Sequence, residues 1–343
     1  MIDLSNGRVL VTGGAGFIGS ALIWQLNRLG CDNILVTDFL GADEKWKNLV
    51  PLHFADYIEA DDLLSFVTRG APNLADVTAI FHLGACSSTT ELDAALLIRR
   101  NYEYTKALAH FALDRGIRFV YASSAATYGN ISGAVPESKP LADLRPLNMY
   151  GYSKHLFDLY AQRCGMLPHI TGLKFFNVYG PNEWHKGDMR SVVIKAFEQI
   201  TSTGRMRLFK SYKPEFADGM QVRDFLYVKD AVAAAVFLAQ RVTGGGLFNI
   251  GSGHANTWLS LANAAFAALG KKPDVEFIDM PDGLRARYQY FTCADIRRLR
   301  DAGFKQPMTS LAAGVADYVR QYLVPGIRLG DEQLPVSSGC ETT

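Results

Sequence analysis

Short apolar runs alternate with longer stretches of helical periodicity through the first half of this 343-residue chain. The runs "RVLVTG" from 8, "NILVTD" from 33, "AIFHLG" from 79, "RFVYASS" from 118 and "TGLKFFNVYG" from 171 are rich in valine, isoleucine and phenylalanine. Gly, Ser or Asp follows each, the pattern of strands buried on both faces. Helices are predicted near 17–29, 88–115 and 150–164. Strand alternating with helix implies right-handed crossovers and an α/β fold of Rossmann type, a doubly wound parallel sheet. Beyond Gly180 the rhythm weakens. "FLYVKDAVAAAVFLAQRV" reads as a strand turning into a helix through Asp230, and "GGGLFNIGSG" as another short strand. The division expected is a nucleotide-binding domain over 1–178, to which a strand and helix near 222–242 return. A smaller, partly discontinuous C-terminal substrate domain then covers most of 179–325, and a polar tail over 326–343 is expected to be loose.

Within this frame, "VLVTGGAGFIGSALIWQL" carries Gly13, Gly16 and Gly19 straight after an apolar strand and opens an amphipathic helix. Such glycines allow a tight turn, close backbone approach and tight helix-on-sheet packing, and the helix N-terminus attracts a pyrophosphate. Asp38 ends the second strand, where an acid holds ribose hydroxyls and points to NAD. Lys45 and Lys47 follow, either as a solvated loop or folded back onto a 2′-phosphate. Asp56 is read as following a third strand, near an adenine. Gly84, Ala85, Cys86 and Ser87 are small residues ending the fourth strand, leaving room for a dinucleotide backbone.

"YASSAATYG" puts Ser123 and Ser124 at the C-terminal edge of the fifth strand, where open α/β sheets bind ligands. In "NMYGYSKHLFDLY" two tyrosines precede Lys154. On a helix Tyr150 and Lys154 share a face at i and i+4, while Tyr152 points elsewhere. An ammonium beside a phenol lowers its pKa toward a useful base. Ser124 can orient a substrate hydroxyl, and Lys154 can reach a nicotinamide ribose. The pattern is that of proton removal from an alcohol coupled to hydride transfer.

Charge and composition narrow the partners. With 35 basic and 34 acidic residues the net charge is +1, so no overall field draws the chain to nucleic acid or to a membrane. Apolar residues make up 48%, and no run approaches the roughly 20 needed to span a bilayer. No export signal is visible at the N-terminus, which predicts a cytoplasmic protein. Cys31, Cys86, Cys164, Cys293 and Cys340 lack metal-like spacing and read as buried free thiols.

The glycine motif, the strand-end serine and Y-x-x-x-K in this order resemble the extended short-chain dehydrogenase/reductases, over about residues 7 to 322. Ala125, Ala126 and Thr127 follow Ser124, where the dehydratases and decarboxylases of that superfamily carry acids. The cysteine of the fucose-synthase-type reductases is absent too. "HLGACSSTTE", "FFNVYGPNEWHKGDM", "RDFLYV" and "ARYQYFTCAD" resemble one branch more closely, the ADP-L-glycero-D-manno-heptose 6-epimerases.

That resemblance implies epimerisation at C6″ of an ADP-heptose through a transient ketone, with Tyr150 and Lys186 as the two bases. It implies a role in lipopolysaccharide core or a related surface polysaccharide. It places cofactor contacts at Phe17, Ile18, Asp38, Phe39, Lys45, the stretch Leu83 to Ser87, Asn101, Lys154, Val178 and Lys186. Substrate contacts fall at Ser124, Asn177, Phe209, Ser211, Arg223 and Tyr288. Arg223 suits a diphosphate, or alternatively a structural salt bridge to Asp224 or Asp230. Asp188 and Lys195 stand where the branch places serine and histidine beside the substrate. Ala60 replaces a lysine of the branch, and the segment from Phe209 to Arg223 is longer than usual. The resemblance implies NADP, while Asp38 keeps NAD open. It also implies a homo-oligomer, with a pentamer as its expected form. The alternative activity is a 4-epimerase or reductase of another nucleotide sugar, against which Lys186 argues. A cofactor-sensing protein without turnover would lack the Tyr–Lys pair.

Overall fold

A computed structural model describes residues 3–69, 74–131, 133–241, 244–285 and 288–333. Seven parallel strands form the central sheet: β1 (Arg8–Thr12), β2 (Ile34–Asp38), β3 (Asp56–Glu59), β4 (Val77–His82), β5 (Arg118–Ser124), β6 (Thr171–Phe175) and β7 (Gly246–Ile250). Their order is β7-β6-β5-β4-β1-β2-β3. The chain winds outward from β1 in one direction through β2 and β3, then returns to wind the other way through β4. The crevice at that reversal is where a dinucleotide lies in such sheets. The sheet is the Rossmann-type, doubly wound one that the alternating pattern predicts.

Both faces of the sheet are covered. Val9, Val11, Phe81 and Val120 face one apolar cluster, and Leu10, Leu35, Ile80 and Phe119 face the other. This two-sided burial explains why the strands read as continuous apolar runs. Helix α1 (Phe17–Arg28) packs against the helix Val228–Arg241 on one side. Helix α2 (Met149–Arg163) packs beside β5.

Several boundaries differ from the sequence expectations. The long run from 171 divides into β6 and a separate strand, Asn177–Tyr179. That second strand pairs with Val222–Tyr227, which in turn pairs antiparallel with Ala255–Thr257. The strand near 222 therefore does not return to the nucleotide sheet. The helix after it packs against α1, and β7 is the strand that returns, pairing with β6. The helix expected from 88 begins at Ala94, because the Asp93 carboxylate caps it through the Leu96 N–H at 2.9 Å. Asp56 opens β3 rather than following it, so it sits at the edge of the sheet away from the ligand crevice.

The tail is also docked as far as it is described. Leu329 is fully buried, Arg328 donates to Asn48 at 3.2 Å, and the Trp24 indole donates to Glu332 at 3.0 Å. The rest of the expected loose tail, 334–343 with Cys340, lies outside the described residues. No helix among the described residues is long and apolar enough to cross a membrane.

Candidate active site

A cavity of about 720 Å3 opens at the C-terminal edge of the sheet. Its floor is the glycine turn. Gly13 has φ +69°, and a Cβ there would collide with Gly84 on the neighbouring strand end. A Cβ on Gly19 would lie 2.0 Å from the Gly13 carbonyl oxygen, so only glycine lets α1 start so close to β1. Asp38 is wired into the same turn. Its Oδ2 accepts from the N–H groups of Ala15 and Gly16 at 2.9 and 3.1 Å. Its Oδ1 accepts from the Phe39 N–H at 2.7 Å and from Lys45 Nζ at 3.1 Å.

Of the cofactor contacts expected from the sequence, all but Asn101 line this cavity. Asn101 is fully buried and its amide is committed elsewhere. It accepts from the Cys86 N–H at 2.8 Å, and donates to the Cys86 carbonyl at 3.0 Å and to Ser153 Oγ at 2.9 Å. It shapes the cavity wall through Cys86 and does not reach the cavity itself. Cys86 is half-buried and Cys164 exposed, so only Cys31 and Cys293 fit the expectation of buried thiols among those described.

Helix α2 brings Tyr150 and Lys154 into the cavity. Asn148 caps it, its side-chain oxygen accepting from the Gly151 N–H at 2.8 Å. A Cβ on Gly151 would stand 2.7 Å from the Ala126 carbonyl, so glycine here lets the helix start against the turn after β5. Tyr150 and Ser124 then meet through their hydroxyls. Tyr152 is 45% exposed and faces away. Ser123, next to Ser124, is taken by Asp158 at 2.8 Å. Asp158 also accepts from the Tyr121 hydroxyl at 2.8 Å and pairs with Lys174 at 2.7 Å, in a cluster shut off from solvent. That leaves Ser124 as the serine beside the tyrosine.

The electrostatics differ from the simple expectation. Burial pushes the Tyr150 phenol up, and the Ser124 hydroxyl pulls it part of the way back. Burial lowers Lys154 to about 8, with Asp158 opposing. Desolvation dominates at both groups, and the expected lowering of the phenol by its ammonium neighbour is not among the effects that act on it. Lys154 donates no hydrogen bond to a protein group among the described residues, so its donors are free for a ribose.

Lys186 enters the same cavity from an irregular loop, with Nζ 5.0 Å from the Phe17 ring centroid. Burial pushes its ammonium down and Glu183 pushes it back up. Three residues hold this loop through five hydrogen bonds. Glu183, itself fully buried, accepts from the Ser191 N–H at 2.5 Å and the Ser191 hydroxyl at 2.6 Å. Arg190 Nε donates to the Gly187 carbonyl at 2.9 Å. Asn182 adopts φ +78° and joins the loop to Ser20 at 3.0 Å and to the Leu329 N–H at 3.0 Å. Asn182 and Glu183 lie within "FFNVYGPNEWHKGDM", where sequence reasoning gave neither of them a role. Asn in the left-handed region is the one available signal.

The residues expected at the substrate are more dispersed. Arg223 is 8% exposed, lies 5.6 Å from the Trp258 ring and 5.1 Å from the Tyr288 ring, and has no carboxylate partner among the described residues. The alternative of a salt bridge to Asp224 or Asp230 is therefore not what the chain makes. Asp224 is occupied by Ser252, Gly253 and Ala294, and Asp230 by Thr309. Tyr288 accepts from the Trp258 indole at 2.8 Å. Phe209 ends the strand Met206–Phe209 close by, since its carbonyl accepts from Gln221 at 3.4 Å. Asn177 donates to the Asp224 carbonyl at 3.1 Å, and Ser211 to the Lys213 carbonyl at 3.1 Å. Asp188 is exposed and Lys195 spends its ammonium on the Asp188 carbonyl at 2.7 Å, so this pair closes the loop on α3 (Val192–Thr203). No cluster of His, Cys, Asp and Glu among the described residues could hold a metal.

A parallel sheet with a dinucleotide crevice, and Tyr150 and Lys154 at its edge with Ser124 beside the tyrosine, is the arrangement of a nicotinamide-dependent enzyme. The model of the "NAD dependent epimerase/dehydratase family" matches residues 9–251. The ADP-L-glycero-D-manno-heptose-6-epimerase of Nitratidesulfovibrio vulgaris is 52% identical over 315 residues, 92% of this chain and 97% of that one. The crystal structure of the Helicobacter pylori ADP-L-glycero-D-manno-heptose-6-epimerase superposes with a TM-score of 0.80 at 27% identity, covering 95% and 99% of the two chains. The UDP-glucuronic acid 4-epimerase of Bacillus cereus, in complex with UDP-glucuronic acid and NAD, gives 0.73 at 25% identity over 92% and 99%. The chain belongs to the NAD-dependent epimerase/dehydratase family, on the branch of the ADP-L-glycero-D-manno-heptose-6-epimerases.

Proposed function

We propose that the chain inverts C6″ of ADP-D-glycero-D-manno-heptose to give the L-glycero epimer, with a retained NADP. The observation that carries the reading is that two groups able to move a proton, Tyr150 and Lys186, line one cavity from separate segments of the chain. The cavity suits a dinucleotide: the glycine turn leaves no room for side chains, and Lys154 keeps unspent donors beside it. Bound there, the nicotinamide supplies a two-electron acceptor that returns what it takes, so inversion needs no net redox. Tyr150 removes the C6″ hydroxyl proton in one orientation of the sugar, with Ser124 steering that hydroxyl. The planar ketone then turns over, and as C6″ regains its hydrogen on the opposite face the Lys186 ammonium supplies a proton of its own to the oxygen, solvent restoring both groups afterwards. Arg223 holds the substrate diphosphate, being a buried guanidinium flanked by two rings and lacking a carboxylate partner among the described residues. The product feeds a surface polysaccharide, and the enzyme works in the cytoplasm as a homo-oligomer.

Proton NMR of ADP-D-glycero-D-manno-heptose incubated with the purified protein, without added cofactor, tests this. The L-glycero epimer is expected, with no accumulation of reduced nucleotide. An unchanged substrate, even after loading with NADP or NAD, would overturn the assignment.

A further inference from the structure

We propose that Arg100 is the residue that recognises the 2′-phosphate of the cofactor's adenosine, acting with Lys45. The inference rests on the reading that the chain binds NADP, and four observations support it.

The first is the saturation of Asp38. A carboxylate offers about four acceptor places. The N–H groups of Ala15, Gly16 and Phe39 and the Lys45 ammonium use them. A ribose hydroxyl would have to displace one of these donors, so Asp38 organises the glycine turn instead of reading the ribose.

The second is the charge around it. The cavity wall at this end contains Asp38, Phe39, Asp43, Lys45, Ala60, Arg100 and Tyr104. Two cations stand there with two carboxylates, of which Asp38 has its acceptor places filled and Asp43 accepts from the Lys45 N–H at 2.9 Å, and Ala60 adds no charge.

The third is the state of Arg100. Its guanidinium carbon lies 3.4 Å over the Phe39 ring, the residue immediately after Asp38. A stacked guanidinium keeps its edge N–H groups free for bidentate contact with phosphate oxygens. The nearest carboxylate, Asp61, is 3.9 Å away and 79% exposed, and Arg100 makes no hydrogen bond among the described residues. An exposed pair at that distance is weak and easily exchanged.

The fourth is the backbone. Arg100 lies in a wide π turn, Ile98–Glu103, a distortion that is frequent at functional sites. Its neighbour Asn101 is fastened to Cys86 and Ser153, which fixes where Arg100 leaves the helix. Fixed backbone, close ring contact and unspent donors together make a preformed phosphate fork.

The test is competitive partition on the whole protein. Purified protein is equilibrated with an equimolar excess of NADP and NAD and gel-filtered, and the bound nucleotide is quantified by mass spectrometry. Wild type is expected to hold NADP. Arg100→Gln should lower the bound NADP:NAD ratio about 10- to 100-fold, the range for losing a charge-assisted contact to phosphate. Arg100→Lys should retain part of it. In parallel, adenosine 2′,5′-bisphosphate should raise the melting temperature of wild type more than ADP does, and this advantage should vanish in Arg100→Gln while the ADP shift persists.

If wild type takes up NAD at least as well as NADP, the NADP reading falls and this inference with it. If wild type selects NADP and Arg100→Gln keeps the same ratio, only the Arg100 assignment is overturned. If Arg100→Gln loses both nucleotides in equal proportion, Arg100 serves the adenosine by stacking alone, and the phosphate assignment is again overturned.

Discussion

The two candidate bases sit in one cavity but are held there by opposite means. Tyr150 rides on a regular helix, one turn from Lys154, with a cap at Asn148 and a strand end beneath it. Lys186 rides on an irregular loop whose shape comes from a side-chain contact across the loop, Glu183 to Ser191, and from two far apart in the chain, Asn182 to Ser20 and to Leu329. The helix needs only local spacing to aim its side chains. The loop needs a buried carboxylate and a left-handed asparagine to do the same. A base on a helix is therefore robust to distant change, whereas a base on a stitched loop depends on each stitch.

The largest effects should come from removing the bases themselves. Tyr150→Phe and Lys186→Met should each lower kcat by about 10²- to 10⁴-fold, the usual contribution of a positioned proton-transfer group. Both should still retain nucleotide, because neither change touches the glycine turn. Steady-state kinetics together with mass spectrometry of bound nucleotide checks this. A Lys186→Met enzyme within about twofold of wild type would break the comparison, leaving the helix as the sole seat of catalysis.

Lys154 sharpens the comparison from the side of stability. It is 4% exposed and burial lowers it to about 8, against an ordinary lysine value of about 10.4 in the unfolded chain. Below pH 8 both states hold the proton and the folded state carries the full cost of the buried charge. Between pH 8 and about 10.4 only the unfolded state holds it, so the cost shrinks as pH rises. Lys154→Met, freed of nucleotide, should therefore be more stable than wild type by on the order of 3 kcal/mol at pH 7. More than half of that gain should be gone at pH 9.5. Denaturant midpoints at the two pH values measure it, and a gain that does not change with pH would rule out the charge as its source.

What could be read beforehand follows the same division. The glycine spacing, the apolar strands and the Tyr150–Lys154 pair are local patterns, and the chain folds them as local patterns. The choice of Ser124 over Ser123 depends on Asp158, 35 residues further on, which claims Ser123. Asn101 was legible as a residue of the cofactor region but not as one that works through Cys86. The strand at Val222–Tyr227 has the composition of a central strand, yet it pairs with Asn177–Tyr179 and Ala255–Thr257. Nothing along the sequence distinguishes which sheet an apolar strand will join. Likewise the polar tail looked loose because its anchors, Asn48 and Asn182, lie some 280 and 147 residues away in sequence.

Ser191 allows the stitching itself to be tested, with the smallest expected effect. Its hydroxyl donates to Glu183 at 2.6 Å while its N–H donates to the other carboxylate oxygen at 2.5 Å. Ser191→Ala removes the first bond and keeps the second, taking one donor from a fully buried carboxylate that the Tyr318 hydroxyl also approaches. Leaving such a group short costs about 1–3 kcal/mol. The loop can recover part of this by letting Glu183 take up a proton, since burial already raises its pKa. A loop that relaxes in this way carries Lys186 off its aim, so kcat should fall several-fold while bound nucleotide and the Tyr150 side of the cavity stay as they are. Ser191→Thr restores the hydroxyl and should restore the rate. A merely structural role would lower stability in Ser191→Ala and leave the rate of the folded enzyme unchanged. Only a loop whose geometry sets the position of Lys186 makes rate and stability fall together and recover together.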